Sequence, residues 1–303
     1  MEKYLVSIII PVYNGSDYVA EAIKSAINQT YRNLEILVIN DGSTDNGLTK
    51  NAVLPFLEDK RVKYIEKDNG GVSTVLNYGI EHFSGDFFVW LSHDDVFAPD
   101  SIELRVNKWE ELGSSNKIIV STKTKYIDKD GNKKFRVAAN SKNVNNIYDI
   151  LSSTINGCSL LIPKEAIKGH SFYEGMVYMQ DYYLWAQMIN EGVRIRVVNK
   201  KVTYNRIHDK QITSTRMDLL IRDYGRFDEA YVMPLFEKKE YRQLKKIVFA
   251  FTRRLSVRPF YWDYIEKYRA NLTVLRKWNL FDSLHVKCDL LVSKIVGKLR
   301  GIK

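Results

Sequence analysis

Cysteine is nearly absent from this chain of 303 residues, which holds only Cys158 and Cys288. Far apart and outside any cluster with metal-ligand spacing, they exclude a disulfide framework or a zinc site and read as plain buried thiols. Long apolar runs are missing too. No stretch approaches the roughly 20 residues needed to cross a bilayer, and the N-terminus enters a strand pattern without a signal peptide's basic and apolar regions. The chain is therefore expected to stay in the cytoplasm. Internal repeats and low-complexity linkers are also lacking. After the first strand, where a dinucleotide enzyme carries GxGxxG, the sequence reads Pro11-Val12-Tyr13-Asn14-Gly15, which argues against a nicotinamide dehydrogenase.

What is present is an ordinary globular composition, 45% hydrophobic and 27% charged, with a net charge of +10. A basic excess suits nucleic acid, an anionic membrane or a phosphorylated substrate. Its distribution favours a membrane surface or lipid phosphate over nucleic acid. In the C-terminal third, Lys238-Lys239, Lys245-Lys246, Arg253-Arg254, Arg276-Lys277, Lys294, Lys298, Arg300 and Lys303 are interleaved with aromatic and aliphatic residues.

From residue 4 to about 122, short β-branched runs alternate with helical periodicity, the pattern of a parallel α/β sheet. Strands are expected at Val6 to Ile10, Glu35 to Ile39, Val62 to Ile65 and Phe87 to Leu91, with helices at 45–57, 72–83 and 100–112. A first helix places Val19, Ala22, Ile23, Ala26 and Ile27 on one face, with Ser16 or Asp17 as its cap, and Thr44 should cap the second. Residues 123–215 read as α+β, with a hairpin at Asp130-Gly131, strands at Gly157 to Ile162, Ile195 to Val198 and Val202 to Ile207, and a helix over 181–191. From 216 to 303 the pattern is helical and basic, with breaks at Pro234 and Pro259.

In such sheets functional groups gather beyond the carboxyl ends of the strands. Polar candidates stand at each: Tyr13 and Asn14, Asp41, Asp68 and Asn69, then Asp94 and Asp95 in Leu91-Ser92-His93-Asp94-Asp95. Paired carboxylates on a strand end present hard oxygen ligands to Mg²⁺ or Mn²⁺, which grips a diphosphate. Two aspartates alone fit a solvated turn with a helix cap before Pro99. Recurrence at every strand end is the better evidence.

These segments, Ile8-Ile9-Ile10-Pro11-Val12-Tyr13-Asn14, Asn40-Asp41-Gly42-Ser43-Thr44-Asp45, Asn69-Gly70-Gly71 with Asn77 and Gly79, and Asp94-Asp95, resemble in order the motifs of the family-two inverting glycosyltransferases. The similarity covers about 4–215. It implies an α/β GT-A fold, a mixed sheet flanked by helices, over 1–215, with a nucleotide-sugar half at 1–122, an acceptor half at 123–215 and a helical extension at 216–303. It also implies a nucleotide-sugar donor, a divalent metal (Mn²⁺ or Mg²⁺), and a saccharide or lipid-linked saccharide acceptor, with no nucleic acid partner.

Carried over by position, the resemblance gives Pro11, Tyr13, Asn14, Asp41, Asn69, Asn77 and Ser92 to the nucleotide. Tyr13 would stack on the base and Asp41 accept its imide N–H if the base is uracil or thymine. Asp94 and His208 fall to the metal, Asp95 and Arg206 to the sugar and diphosphate, and Gly157 and Tyr182 to the acceptor. Asp181, in Met179-Gln180-Asp181-Tyr182, becomes the catalytic base at a helix start, where the macrodipole favours the ionised carboxylate. Arg206 and His208 stand in a late Arg-x-His segment before Gln211 to Ser214.

Ser92 and Leu76 depart from the pattern, which often has a third carboxylate or Asn at the first position and Arg at the second. They keep a rival reading open, a non-catalytic nucleotide-sugar-binding or assembly subunit. For the extension, packing on the catalytic domain competes with peripheral contact at the cytoplasmic face of the inner membrane.

Overall fold

The marked β-branched runs form the parallel centre of a sheet. In the computed structural model, which describes residues 3–134, 142–209, 217–252, 261–274, 278–284 and 286–287, the first half runs β1 (Val6–Val12), α1 (Val19–Ile27), β2 (Leu34–Asp41), α2 (Leu48–Val53), β3 (Val62–Lys67), α3 (Val72–His82) and β4 (Phe87–Trp90). It continues through β5 (Val96–Phe97), α4 (Ser101–Glu111), β6 (Ile118–Ile127), β7 (Lys133–Lys134), α5 (Ile147–Ser152), β8 (Leu160–Pro163), α6 (Lys164–Ile167), α7 (Gln180–Asn190) and β9 (Arg194–Arg206). Helices α8 (Met217–Phe227), α9 (Met233–Glu237), α10 (Tyr241–Thr252) and α11 (Tyr261–Val274) follow.

Among the described residues the sheet order is β3-β2-β1-β4-β8-β6-β9-β5, with β7 on β6. The strands from β3 to β4 pair in parallel, whereas β8 is antiparallel to both β4 and β6. Every residue of β1 and β2 is buried, as required where helices cover both faces. Alternation then divides the core. Ile8, Ile10, Ile36 and Val38 face α1 and α4, while Ile9, Leu37 and Ile39 face α3 and α7.

The second core also takes in the extension. Leu244, Ile247 and Val248 of α10 are fully buried in it, together with Leu272. Packing on the catalytic part is thus realised for α10. Phe251's side chain, Pro259, Cys288 and the cations Arg253, Arg254, Arg276, Lys277, Lys294, Lys298, Arg300 and Lys303 lie outside the described residues.

Several local expectations need correction. The cap position of α1 is Tyr18, with no side-chain cap bond, so neither Ser16 nor Asp17 fills it. Helix α2 starts after Gly47; Asp45 Oδ2 accepts from Thr49 N in its first turn, while Thr44 N donates to Asn14. Gly157–Ser159 is a 3-10 turn ahead of β8. The two strands drawn at 195–198 and 202–207 are one strand, β9, whose register against β6 shifts near Lys123. Pro234 does not end a helix: a π turn at Asp228–Val232 precedes α9 and accommodates the missing N–H.

At the opposite end of the sheet from the polar loops, Glu35 joins three strands. Its carboxylate accepts from Ser7 Oγ at 2.6 Å, Lys63 Nζ at 2.8 Å, Ser84 N at 2.9 Å and Ser84 Oγ at 2.8 Å. Burial opposes its ionisation, but Lys63, Ser7 and Ser84 outweigh that and hold the carboxyl at about 2. Because the folded value lies below the unfolded one, the contribution is full above about pH 4.3 and fades as pH falls toward 2. Glu35→Gln should destabilise the fold by about 1–3 kcal/mol at neutral pH in urea unfolding, with the gap to wild type narrowing in melts between pH 4 and 2.

Candidate active site

The loops after β1 and β2 are stitched together by Asn14, which sits in the left-handed region at φ 47°. Its N–H donates to Ser43 Oγ at 2.9 Å and its Oδ1 accepts from Thr44 N at 2.8 Å. Asparagine tolerates that backbone better than most residues. Pro11 is buried in β1, and the turn leaves Tyr13 45% exposed at the rim, open to a planar ligand.

Asp41, at the end of β2, is 3% exposed and already well bonded. Oδ1 accepts from Lys67 Nζ at 2.7 Å and Gly70 N at 3.0 Å, and Oδ2 from Gly71 N at 2.7 Å. A carboxylate has about four acceptor positions, so Oδ2 retains capacity for a further N–H. Asn69 Nδ2 donates to Asp41 O at 2.8 Å. The approach requires glycine at 42, where φ is +66° and a Cβ would stand 2.8 Å from Asn69 N. Lys67 was not singled out from sequence, although the strand-end logic that selected Asp41 applies equally to it.

Beyond β4 the two adjacent aspartates differ. Asp95 is 5% exposed; its Oδ2 accepts from Asn205 Nδ2 at 2.6 Å and its Oδ1 from Arg206 N at 3.0 Å. Burial first, then the charge of Asp94, raises its carboxyl above the usual range. The resemblance gives Asp95 to the sugar and diphosphate; in the structure its two oxygens are taken up in tying this loop to the end of β9. Asp94 Oδ2 meets His208 Nε2 at 3.1 Å, across 114 residues. Burial above all lowers the pKa of the neighbouring His93, also unmarked by sequence.

Arg206 is corrected outright. Only 1% exposed, it donates from Nε to Asp94 O at 3.0 Å and from Nη1 to Asp128 O at 3.2 Å and Lys129 O at 3.0 Å, and Nη2 pairs with Glu21. Tyr18 lies under the guanidinium, 4.6 Å from ring centroid to Cζ. A guanidinium bonded on these sides is an internal strut, not a phosphate clamp. Ser92 also turns inward, its N and Oγ both 3.3 Å from Cys158 Sγ, whose thiol burial pushes well up. Leu76 is fully buried in the core.

Asn77 does not join the nucleotide residues. Its Nδ2 donates to Phe172 O at 2.9 Å and Glu174 Oε1 at 3.0 Å, while Oδ1 accepts from Phe172 N at 2.7 Å. Gly157 and Tyr182 frame one segment. A Cβ at 157 would lie 2.4 Å from the Trp90 ring, and Tyr182 Oη accepts from Ile155 N at 3.1 Å.

Asp181 is the second residue of α7, which begins at Gln180 directly after Met179, a non-glycine residue at φ 62°. Part of its surface stays open while surrounding protein crowds the carboxyl. That crowding raises its pKa to about 6, against the opposing pull of the backbone N–H groups of Tyr182 and Asp181. Burial thus outweighs the helix-start effect that the sequence suggested.

A divalent ion can be tested against these donors. Among the described residues no three His, Cys, Asp or Glu side chains gather at one point. Asp94 and His208 supply two donors, and His208 Nδ1 is buried without a hydrogen-bond partner among those residues. Mg²⁺ and Mn²⁺ on nucleotide substrates commonly take one or two protein ligands and draw the others from phosphates and water. The pair fits such an ion. Gln211 to Ser214 lie outside the described residues.

The mixed sheet and its strand-end loops define a GT-A glycosyltransferase fold, and comparison with known proteins agrees. Residues 7–168 match the model of glycosyl transferase family 2. An uncharacterized glycosyltransferase of Rickettsia typhi, RT0329, is 32% identical over 302 residues, spanning 98% of this chain and 91% of the relative. This chain belongs to glycosyl transferase family 2. WfaP of Escherichia coli, a UDP-Glc:α-D-GlcNAc-diphosphoundecaprenol β-1,3-glucosyltransferase, is 28% identical over 72% of this chain and 83% of its own length. Among solved structures, TarS 1-349 of S. aureus with UDP-GlcNAc superposes at a TM-score of 0.59 and 18% identity, covering 94% of this chain and 79% of that one. The mannosyltransferase PcManGT of Pyrobaculum calidifontis, with GDP-Man and Mn²⁺, gives 0.57 at 16% identity, covering 98% and 88%.

The strut assignment of Arg206 separates from a clamp in one experiment. Arg206→Gln should lower unfolding free energy by about 3 kcal/mol in urea titration. Undiminished stability with weakened binding of UDP would restore the clamp.

Proposed function

We propose that this chain is a metal-dependent inverting glycosyltransferase that moves a hexose or N-acetylhexosamine from a UDP-linked donor to a hydroxyl of a lipid-linked saccharide, in surface polysaccharide or glycolipid assembly. What carries the reading is the meeting of Asp94 and His208 at 3.1 Å beyond the sheet's carboxyl ends, where a nucleotide diphosphate would lie. The UDP-Glc donor and lipid-linked acceptor named for WfaP, the UDP-GlcNAc bound to TarS and the Mn²⁺ of PcManGT support the donor, acceptor and metal of this reading.

Tyr13 offers its exposed ring to the base, and Asp41 Oδ2 has the acceptor capacity for an imide N–H. A divalent ion held by Asp94 and His208 supplies positive charge for the leaving diphosphate. Asp181 accepts the proton of the acceptor hydroxyl as its oxygen attacks the anomeric carbon from the face opposite the nucleotide. A carboxyl at about 6 is a better proton acceptor near neutrality than an ordinary one, yet still ionised there.

Purified protein with Mn²⁺ or Mg²⁺ should release nucleotide from one member of a panel of UDP-glucose, UDP-galactose, their N-acetylated forms and dTDP-rhamnose, and Asp94→Ala should abolish that release. Tight binding of one donor with no release to any acceptor would favour the non-catalytic subunit. Asp181→Asn should keep donor binding and lose turnover by about 100-fold or more. In the wild type, kcat should fall as pH drops below about 6, because only the ionised carboxylate takes a proton.

The extension supports placement at the cytoplasmic face of a membrane. Residues 216–303 hold 20 basic and 10 acidic residues, against 26 of each in the first 215. Within it Leu280, Phe281 and Leu284 are 72%, 80% and 47% exposed, and no helix of the described residues is long and apolar enough to span a bilayer. The full chain should co-sediment with vesicles rich in anionic lipid. Replacing Leu280 and Phe281 together by serine should weaken this by at least about tenfold.

A further inference from the structure

Helix α8 lies beyond residues 7–168 that the family model matches, yet it grips the segment leading to Asp181. Residues 172–178 form a strap with an anchor at each end. At its start, Asn77 of α3 holds Phe172 and Glu174 by the three bonds described above. At its end, the N–H groups of Val177 and Tyr178 both donate to Asp223 Oδ2 at 2.8 Å. Asp223 has no exposed surface. Its Oδ1 accepts from Arg222 Nε at 2.8 Å, while Arg222 Nη2 donates to Gly175 O at 3.2 Å and Arg226 Nη1 bonds the same carbonyl.

A carboxylate this deeply enclosed persists only with its charge and lone pairs matched. The two strap amides and Arg222 provide that match. One residue beyond the gripped amides, Met179 turns through φ 62° and α7 begins with Gln180 and Asp181. The tight turn leaves little slack between Asp223 and the carboxyl of Asp181. A displacement of the strap is therefore passed to the proposed base, whereas Tyr13, Asp41 and Asp94 stand on other loops.

We infer that Asp223 is a positioning residue for sugar transfer: by fixing the amides of Val177 and Tyr178 it sets where Asp181 stands, which makes α8 a working part of the active site. The inference rests on the reading of Asp181 as base. Misplacing a reacting group by about 1 Å can cost on the order of 100-fold in rate, so the effect should fall on kcat.

The test uses the full chain as wild type, Asp223→Asn, Asp181→Asn and the double variant, with the sugar nucleotide that the wild type turns over and UDP as the binding probe. Asparagine keeps the shape but turns an amide donor toward either Arg222 or the strap. Asp223→Asn should lower kcat at least about tenfold, with donor KM and UDP affinity within about threefold of wild type. Added to Asp181→Asn it should cost no further activity, since the two residues act as a unit.

Wild-type kcat in Asp223→Asn, or a loss that adds in full to that of Asp181→Asn, would overturn the inference. Should Asp223→Asn fail to fold by circular dichroism, Arg222→Gln, on the exposed side of the same cluster, is read by the same two criteria. An active Asp181→Asn would instead remove the base assignment. An enzyme that needs Asp181 and ignores Asp223 removes the present inference alone.

Discussion

A buried carboxyl, Asp95, holds together the two ends of chain from which the candidate centre is made. It stands just beyond β4 and is bonded to Asn205 and to the backbone of Arg206 at the end of β9, more than 100 residues later. Strands β4 and β9 are not neighbours, since β8 and β6 lie between them. The short strand β5 begins one residue after Asp95 and pairs with β9, Val96 opposite Tyr204. Together these contacts bring Asp94 to His208 and seat Arg206 against the Asp94 carbonyl. Leaving Asp95 unbonded at this depth would cost far more than an exposed polar group, so the arrangement is held in one register.

Around that latch the molecule separates tasks by loop. The parallel half contributes a platform in which Asn14 ties the first two loops and Asp41 gathers Lys67, Gly70 and Gly71. The mixed half contributes Asp181, raised toward neutrality by its surroundings. Both are backed by one core that includes Ile9, Leu37, Trp185 and Leu244, so the extension is continuous with the catalytic part in packing terms. Rigid elements carrying the site on their ends is the arrangement that keeps reacting groups in place.

Much of the site was legible as chemistry and less as contact. Tyr13 is exposed, Asp41 ends β2 and Asp94 meets His208. Arg206, Asn77 and Ser92 carry the right chemistry for phosphate, amide or ribose contacts, yet each faces protein. Their neighbours there, Glu21, Phe172 and Cys158, lie far off in sequence, and local pattern holds no information about them. Lys67, His93 and Asp223 went unmarked for a related reason. A lone charged residue or histidine has no signature until its partners are known.

The sequence by itself determined the four strands of the parallel half and their α/β class, because hydrophobic period and strand-end polarity are local properties written in neighbouring residues. It likewise determined which residues were chemically able to bind a diphosphate or accept a proton. Tertiary structure decided which of them do structural work instead, merged two drawn strands into β9, and moved Asp181 from a helix-end carboxylate to one governed by burial. It also enlisted α8 behind the strap. Each of those outcomes depends on desolvation and on pairing between residues tens to more than a hundred positions apart, and those exist only once the chain has packed.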